Sequence, residues 1–385
     1  MAPRIRKNFE MKDKYMFEAY KDNSELPKKV RIEASSKCQL DCVQCYMRLD
    51  PEGVEKGCGL GNLKFSDFKK FVDENDFESI EISNHGEIFL NPELEKIIKY
   101  AYEKGIELYA GNGVNLNYLP DKIAEALVKY KFGSMDVSID GASQQTYQQY
   151  RVHGDFDKVI ANVEKINFYK KKYKSDLPVL NWKFIVFGHN EHEIPLAKKM
   201  AKKLNMNIQF TPNCAPEYSP LKNEAKVIKQ TGLETTDLAP HIMLEEYNKK
   251  TSDWFYCAFL WEEPQINWDG KILGCCSLYS DDFGGNAFKD GFLKAMNHPK
   301  MIYAKNMLTH KAPPAEGIPC THCYAFEDLM ETGCYMKSPK QIKLEEEALK
   351  AKKAAAKKAA AKKAAAKKKK ASTKTKTSKT KKPSK

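Results

Sequence analysis

Three cysteines, Cys38, Cys42 and Cys45, lie within eight residues near the start of the sequence. Their spacing, with three and then two residues between them, allows each thiolate to reach one iron of a compact iron–sulfur cluster. A 4Fe-4S cube that is held at three corners keeps its fourth iron open to another ligand. Zinc is the alternative, but structural zinc uses four protein ligands, and catalytic zinc usually includes histidine or carboxylate. The spacing therefore favours iron–sulfur chemistry.

A second group of cysteines follows residue 250. Its members are Cys257, Cys275, Cys276, Cys320, Cys323 and Cys334. Four cysteines in two groups also suit a structural zinc ion, so this region alone leaves zinc and iron–sulfur both open. The two remaining cysteines, Cys58 and Cys214, stand alone, and we expect them to be buried thiols.

The composition indicates a globular protein. The chain has 385 residues, of which 42% are hydrophobic and 11% aromatic, enough for two or three domains with a sizeable core. No window approaches the roughly 20 apolar residues that span a bilayer, and no apolar segment follows the basic N-terminus. We therefore predict a soluble cytoplasmic protein, whose cysteines serve metal or redox chemistry and not a disulfide framework.

The positive charge is confined to the end of the chain. The net charge is +13, but residues 350–385 contain 17 lysines and no acid, so residues 1–349 carry about −4. Lysine pairs recur every five residues in this tail, and five steps of about 100° prevent an apolar face from forming. The pattern predicts a solvated, disordered or partly helical arm that could attract nucleic acid or another polyanion.

Short β-rich runs alternate with helical patterns between residues 29 and 213. This alternation predicts parallel strands joined by crossover helices, as in an α/β partial (β/α)6 barrel. The predicted strands are residues 29–34, 78–83, 106–111, 134–139, 181–187 and 207–211. Active sites of such barrels lie on the loops after the strands, and the cysteine triplet begins four residues after the first one.

The alternation stops near residue 214, which suggests four segments. We predict an N-terminal extension (1–27), the barrel (28–213), a smaller cysteine-rich domain (214–340) and the Lys/Ala-rich tail (341–385).

The stretch "CQLDCVQCY" resembles the three-cysteine signature of radical S-adenosylmethionine (radical SAM) enzymes. The resemblance implies that SAM chelates the open iron through its amino and carboxylate groups. It also implies that the aromatic residue after the third cysteine, Tyr46, lies near the adenine.

Later segments resemble the other motifs of this family, in the expected order. "SNHGEIFLNP" is similar to the "GEP" motif and implies that Gly86 and Glu87 meet the SAM amino group, although Ile88 replaces the usual proline. "AGNGVNLN" resembles the "TNG" stretch, which includes Asn112. "DVSIDGASQQTYQQYRVHGDF" resembles the fourth-strand region and implies SAM contacts from Ser138 and Arg151. Without this resemblance, a surface salt bridge would be the expected role of Arg151.

The C-terminal cysteines resemble those of SPASM and twitch domains, which bind auxiliary 4Fe-4S clusters. The resemblance implies one auxiliary cluster with four thiolate ligands, namely Cys257, Cys275, Cys320 and Cys323. Cys276 or Cys334 could replace one of these ligands or remain a free thiol.

The resemblance implies reductive cleavage of SAM to a 5'-deoxyadenosyl radical, which takes a hydrogen atom from a peptide, sugar or small metabolite. An external one-electron donor such as flavodoxin or ferredoxin is implied, with the auxiliary cluster in electron transfer. The alternative is a cluster- or zinc-containing protein that binds nucleic acid through its basic tail, but the acidic body argues against binding as its whole function.

Overall fold

The strands of the barrel follow one another in space in the order in which they occur along the chain. The computed structural model describes residues 26–213, 216–236, 257–275, 277–323, 326–327, 330, 336 and 341–358. The strands are β1 (Lys29–Ile32), β2 (Ser79–Glu81), β3 (Glu107–Val114), β4 (Ser134–Ser138), β5 (Val179–Val186), β6 (Asn207–Pro212), β7 (Gln265–Ile266) and β8 (Ile272–Gly274). Each of the six strands predicted from the sequence is present, with shifts of a few residues at its ends.

Helices lie between consecutive strands from β1 to β7, and three more follow β8. They are α1 (Tyr46–Leu49), α2 (Pro51–Lys56), α3 (Phe65–Asp73), α4 (Leu94–Glu103), α5 (Asp121–Lys129), α6 (Gln144–Tyr150), α7 (Phe156–Tyr173), α8 (Ile194–Lys203), α9 (Glu224–Thr231), α10 (Ala258–Trp261), α11 (Ala287–Asp290), α12 (Phe292–Met296) and α13 (Pro299–Leu308). Several begin at a residue whose side chain accepts a backbone N–H, as Ser143 does before α6 and Asp155 before α7.

The strands form one sheet in the order β6-β5-β4-β3-β2-β1-β7-β8. Neighbouring strands from β6 to β7 are parallel, and β7 and β8 form an antiparallel pair. The predicted α/β architecture is therefore confirmed, and the C-terminal region adds a strand beside β1. β7 and β8 have two and three residues, too few to give a period in the sequence.

The two faces of β1 differ in chemistry. Val30 and Ile32 belong to the main apolar core under the helices, and both are at most 1% exposed. Because successive side chains of a strand point to opposite faces, Arg31 lies on the inner face of the barrel.

The chain divides into two compact units, Met1–Met336 and Lys337–Lys385. The described cysteines of both sets lie in the first unit, and the predicted boundary near residue 214 stays a prediction. In the second unit, residues 341–358 form a helix that is mostly exposed, and the rest of the lysine tail lies outside the described residues.

Candidate active site

The cysteine triplet lies on the loop that follows β1, where the barrel architecture predicts chemistry. Backbone hydrogen bonds fix this loop to the end of α6 and the segment after it, because Val43 N donates to Tyr150 O and Asp41 N to Val152 O. Cys45 stands directly before α1, and its N–H donates to Cys42 O at 3.1 Å. The loop is therefore a hydrogen-bonded turn with a fixed place at the mouth of the barrel.

The three thiols of the triplet act on one another electrostatically. Burial raises the pKa of Cys38 to about 12, although part of its surface is open to solvent, and nearby Glu87, Cys42 and Cys45 add to this increase. Burial also raises the pKa of Cys45. Without added positive charge, the Cys38 and Cys45 thiols hold their protons, so a positively charged iron centre would favour their thiolate forms.

Two N–H donors point at sulfur atoms of the triplet. Arg151 Nη1 lies 3.6 Å from Cys42 Sγ, and Asn115 Nδ2 lies 3.5 Å from Cys38 Sγ. Asp140 is fully buried and orients the arginine, because its Oδ2 accepts from Arg151 Nε at 2.6 Å. Hydrogen bonds from a cation and an amide stabilise thiolate charge. Arg151 thus lies beside the triplet, and its ion pair with buried Asp140 is not a surface salt bridge.

Gly86 and Glu87 pack under the cysteine loop. A side chain at Gly86 would bring its Cβ within 2.2 Å of Ser35 O, so only glycine fits there. Glu87 N donates to Lys37 O at 2.8 Å, and its fully buried carboxylate accepts from Asn115 N at 2.6 Å. Burial raises the pKa of Glu87 to about 7. In this structure the Glu87 side chain stabilises the loop that carries Asn115 by accepting this hydrogen bond.

Tyr46 stacks in an aromatic group beside the triplet. Its ring lies 4.2 Å from the Tyr279 ring, centroid to centroid, with the planes 12° apart. Tyr46 Oη shares a hydrogen bond with His85 Nδ1, and Glu33 accepts from His85 N at 2.6 Å. Burial lowers the pKa of His85 to about 4, so this imidazole is neutral at pH 7.

Asn112 and Ser138 lie on the neighbouring strands β3 and β4, Asn112 within the irregular stretch of β3 and Ser138 at the end of β4. The register between β3 and β4 shifts between Ala110 and Val114, which is the stretch that contains Asn112. Asn112 Nδ2 donates to Asn84 Oδ1, and Gly113 has a φ of +118°. A Cβ at Gly113 would lie 2.5 Å from Ser138 Oγ, so this glycine is required for the close approach.

The structure places three cysteines of the second set, Cys257, Cys320 and Cys323, near one another. Burial raises the pKa of Cys320 well above its ordinary value, and the charges of Cys257 and Cys323 contribute. Cys275 ends the hairpin of β7 and β8, and its Sγ accepts from Ser277 N at 3.4 Å. Cys276 and Cys334 lie outside the described residues.

A buried lysine lies beside the second set. Lys305 is 2% exposed and its Nζ lies 5.7 Å from the centre of the Trp261 ring. Burial lowers its pKa to about 8, and nearby Cys257 opposes that change. A cation at this position would offset the negative charge of thiolates.

The donor chemistry of the triplet fits an iron–sulfur cluster. The three cysteines form no disulfide, and N–H donors reach the sulfurs of two of them. Within the described part of the chain, no three His, Cys, Asp or Glu side chains are arranged around a single metal ion. In a 4Fe-4S cluster each cysteine binds a different iron, so its ligands do not converge on one point.

Sequence reasoning missed several residues of this site. Asn115 and Asp140 follow β3 and β4, and His85 precedes Gly86, all at the carboxyl ends of strands. Their location was the signal that the sequence offered, because active-site residues of such folds lie at the carboxyl ends of the parallel strands. Tyr279 gave no signal, because it comes from a distant part of the sequence.

No protein-family model matches the chain. An AdoMet-dependent heme synthase from Methanosarcina barkeri is 26% identical over 181 residues, which are 46% of this chain and 48% of the relative. The antilisterial bacteriocin subtilosin biosynthesis protein AlbA of Bacillus subtilis is 25% identical over 297 residues, 71% of this chain and 60% of AlbA. The chain thus spans about half to three fifths of these curated relatives.

Solved structures share the fold. Streptococcus suis SuiB bound to the precursor peptide SuiA has a TM-score of 0.51 at 13% identity, over 81% of this chain and 75% of SuiB. SuiB bound to S-adenosylmethionine has a TM-score of 0.52 at 12% identity, over 81% and 76%. None of the described helices is long and apolar enough to cross a membrane. In its sequence relatives, its ordered motifs and its fold, the chain thus resembles the radical SAM superfamily and, within it, the SPASM-type subgroup.

Proposed function

We propose that this protein is a radical SAM enzyme that uses the triplet Cys38, Cys42 and Cys45 to hold its SAM-binding 4Fe-4S cluster. The observation that carries the proposal is the pair of N–H donors directed at Cys42 Sγ and Cys38 Sγ, at 3.6 and 3.5 Å. When bound, the cluster would supply one electron that breaks a carbon–sulfur bond of SAM to give methionine and a 5'-deoxyadenosyl radical, which would take a hydrogen atom from the substrate.

The residues around the triplet have separate tasks in this proposal. Arg151, held by Asp140, stabilises the Cys42 thiolate and presents a cation to the SAM carboxylate. Tyr46 offers an aromatic face for the adenine, and its stacking on Tyr279 fixes that face. Gly86, Glu87, Asn112 and Ser138 complete the proposed SAM site.

The C-terminal set would hold one auxiliary 4Fe-4S cluster through Cys257, Cys275, Cys320 and Cys323. Four protein ligands leave no open iron, so electron transfer is its proposed role, with an external flavodoxin- or ferredoxin-like donor for the first cluster. Lys305 would offset part of the charge of this cluster.

The substrate is proposed only as a class. AlbA is named for bacteriocin biosynthesis and SuiB was solved with a precursor peptide, which favours a peptide over a sugar or another small metabolite. The predicted cytoplasmic location agrees with a protein that depends on reduced thiols.

Anaerobic reconstitution with iron and sulfide tests this function. We expect roughly eight irons per chain, as two 4Fe-4S clusters, and slow release of 5'-deoxyadenosine that requires SAM and a reductant. Stoichiometric zinc and no cleavage of SAM would contradict the proposal.

The lysine tail supports an accessory function, which is the binding of nucleic acid or another polyanion. The described part of the tail is an exposed helix that ends in lysine pairs, and lysine-rich segments bind phosphates in a salt-dependent way. Deletion of residues 350–385 should abolish retention of DNA or RNA at low salt and leave SAM cleavage unchanged. Equal retention by the truncated protein would exclude this role.

A further inference from the structure

Four polar side chains form a row across the inner face of the barrel. Arg31 on β1 pairs in register with Gln265 on β7 and with Glu81 on β2, and Glu81 pairs with Tyr109 on β3. Side chains at paired positions of neighbouring strands point to the same side of a sheet. We call Gln265, Arg31, Glu81 and Tyr109 the inner row.

The inner row contains buried polar atoms without hydrogen-bond partners. Among the described residues of the row, Arg31 Nε and Gln265 Oε1 are such atoms, whereas Arg31 Nη2 and Glu81 Oε2 form an ion pair with each other at 3.3 Å. Arg31 is 7% exposed, and Glu81 and Gln265 are fully buried. Buried polar groups in folded proteins are nearly always hydrogen-bonded, so one donor and one acceptor without partners on adjoining side chains point to a missing ligand group.

The same side chains are held firmly at their other atoms. Glu81 Oε1 accepts from Ser83 Oγ at 2.6 Å and from Gly111 N at 3.1 Å. Gln265 Nε2 donates to Ile266 O at 3.2 Å. The Arg31 guanidinium lies 5.5 Å from the centre of the Phe259 ring. The unpartnered atoms therefore belong to side chains that are already fixed in place.

The charges around Arg31 decide which ligand group fits. Glu81 Oε2 lies 3.3 Å from Arg31 Nη2, and Glu263 Oε2 lies 3.7 Å from Arg31 Nη1. Two carboxylates thus offset one guanidinium, and a carboxylate or phosphate ligand would be repelled by both. A neutral group that has an acceptor next to a donor suits Arg31 Nε and Gln265 Oε1 together.

We propose that the inner row binds an amide group of the substrate, whose carbonyl oxygen accepts from Arg31 Nε and whose N–H donates to Gln265 Oε1. Glu81 connects the row to the proposed SAM site, because its Oε1 also accepts from Asn112 N at 3.4 Å. The amide would therefore anchor the substrate beside the SAM site. The proposal rests on the proposed function for the identity of that neighbouring site, but binding at the row can be measured without any turnover.

The test uses the reconstituted full-length protein and N-methylacetamide as the probe. Thermal unfolding is recorded with and without about 100 mM probe for the wild type, Gln265→Met and Arg31→Lys. Methionine keeps the size of Gln265 but removes its acceptor, and lysine keeps the charge of Arg31 but removes the Nε donor. We expect the probe to raise the Tm of the wild type by about 2 °C relative to both variants.

Acetate and ethylene glycol serve as matched probes for an anion and for hydroxyl groups. Equal shifts of Tm in all three proteins would overturn the proposal, and so would a larger selective shift with acetate or ethylene glycol. Failure of the reconstituted protein to cleave SAM would refute the proposed function, whereas loss of probe selectivity with intact cleavage would refute only the amide site. If Arg31→Lys does not fold, Gln265→Met decides the outcome.

Discussion

The two cysteine sets lie in different surroundings. Cys42 packs in a small cluster with Tyr150 and Phe187, and N–H donors reach the sulfurs of Cys42 and Cys38. Cys320 instead belongs to the main apolar core. The first set offers polar contacts on a loop at the barrel mouth, whereas Cys320 of the second set is enclosed by apolar side chains. This difference fits one cluster that binds SAM and another that only transfers electrons.

The largest expected effect comes from breaking the first set. Replacement of Cys42 by alanine should abolish release of 5'-deoxyadenosine, because two thiolates cannot hold the cluster with its open iron. The matched control is Cys58→Ala, since Cys58 is also a buried free thiol but lies outside both sets. Anaerobic chromatography of the products measures the outcome, and comparable activity of the two variants would contradict the assignment.

Breaking the second set should have a smaller effect on SAM. Cys320→Ala should lower the iron content from about eight to about four per chain, since only the auxiliary cluster is lost. Release of 5'-deoxyadenosine should persist in part but without substrate product. Unchanged iron content and product formation would show that Cys320 is not a ligand.

Removal of the arginine beside the first set should weaken the reaction without destroying the cluster. Arg151→Met should slow SAM cleavage by about 10- to 100-fold, the value of one hydrogen bond to a charged group. Asp140→Asn should act in the same direction, because Asp140 orients the Arg151 guanidinium. The measurement is the rate of 5'-deoxyadenosine release at constant iron content, and a normal rate for Arg151→Met would exclude the contact.

The smallest expected effect concerns pH and stability near the first set. Burial raises the pKa of Glu33 to about 8, so the folded protein keeps a proton that the unfolded chain has lost. Its contribution to stability is fully present below about pH 4.5 and is lost as the pH rises towards 8. Between pH 6 and 8, the free energy of unfolding should fall by on the order of 2 kcal/mol more in the wild type than in Glu33→Gln.

Urea unfolding of the reconstituted protein at several pH values measures this slope. Glu125→Gln is the matched control, because Glu125 lies on the exposed side of α5 and its pKa is lowered by its hydrogen bond with Lys172. Parallel slopes for the wild type and Glu33→Gln would contradict the prediction.

Much of the barrel could be predicted from the sequence, because its strands and helices have clear periods. Val30 and Ile32 alternate with Arg31, and helix α4 places Ile97, Ile98 and Ala101 on one buried face. The pairing of β7 with β1 could not be predicted, since a parallel contact between residues 31 and 265 depends on a distant segment. Asn115 and Asp140 were missed because a polar residue after a strand is common and only its contacts reveal its role.

By itself, the sequence determined the kind of chemistry and the class of fold. Three closely spaced thiols and alternating β and α periods are local properties, which a chain carries before it folds. Only the tertiary structure decided which groups touch the thiols and which buried atoms lack partners. Arg151 reaches Cys42 across 109 positions of the chain, and the inner row joins residues from four strands. Such contacts depend on how the strands align, and that alignment is set by packing of the whole core.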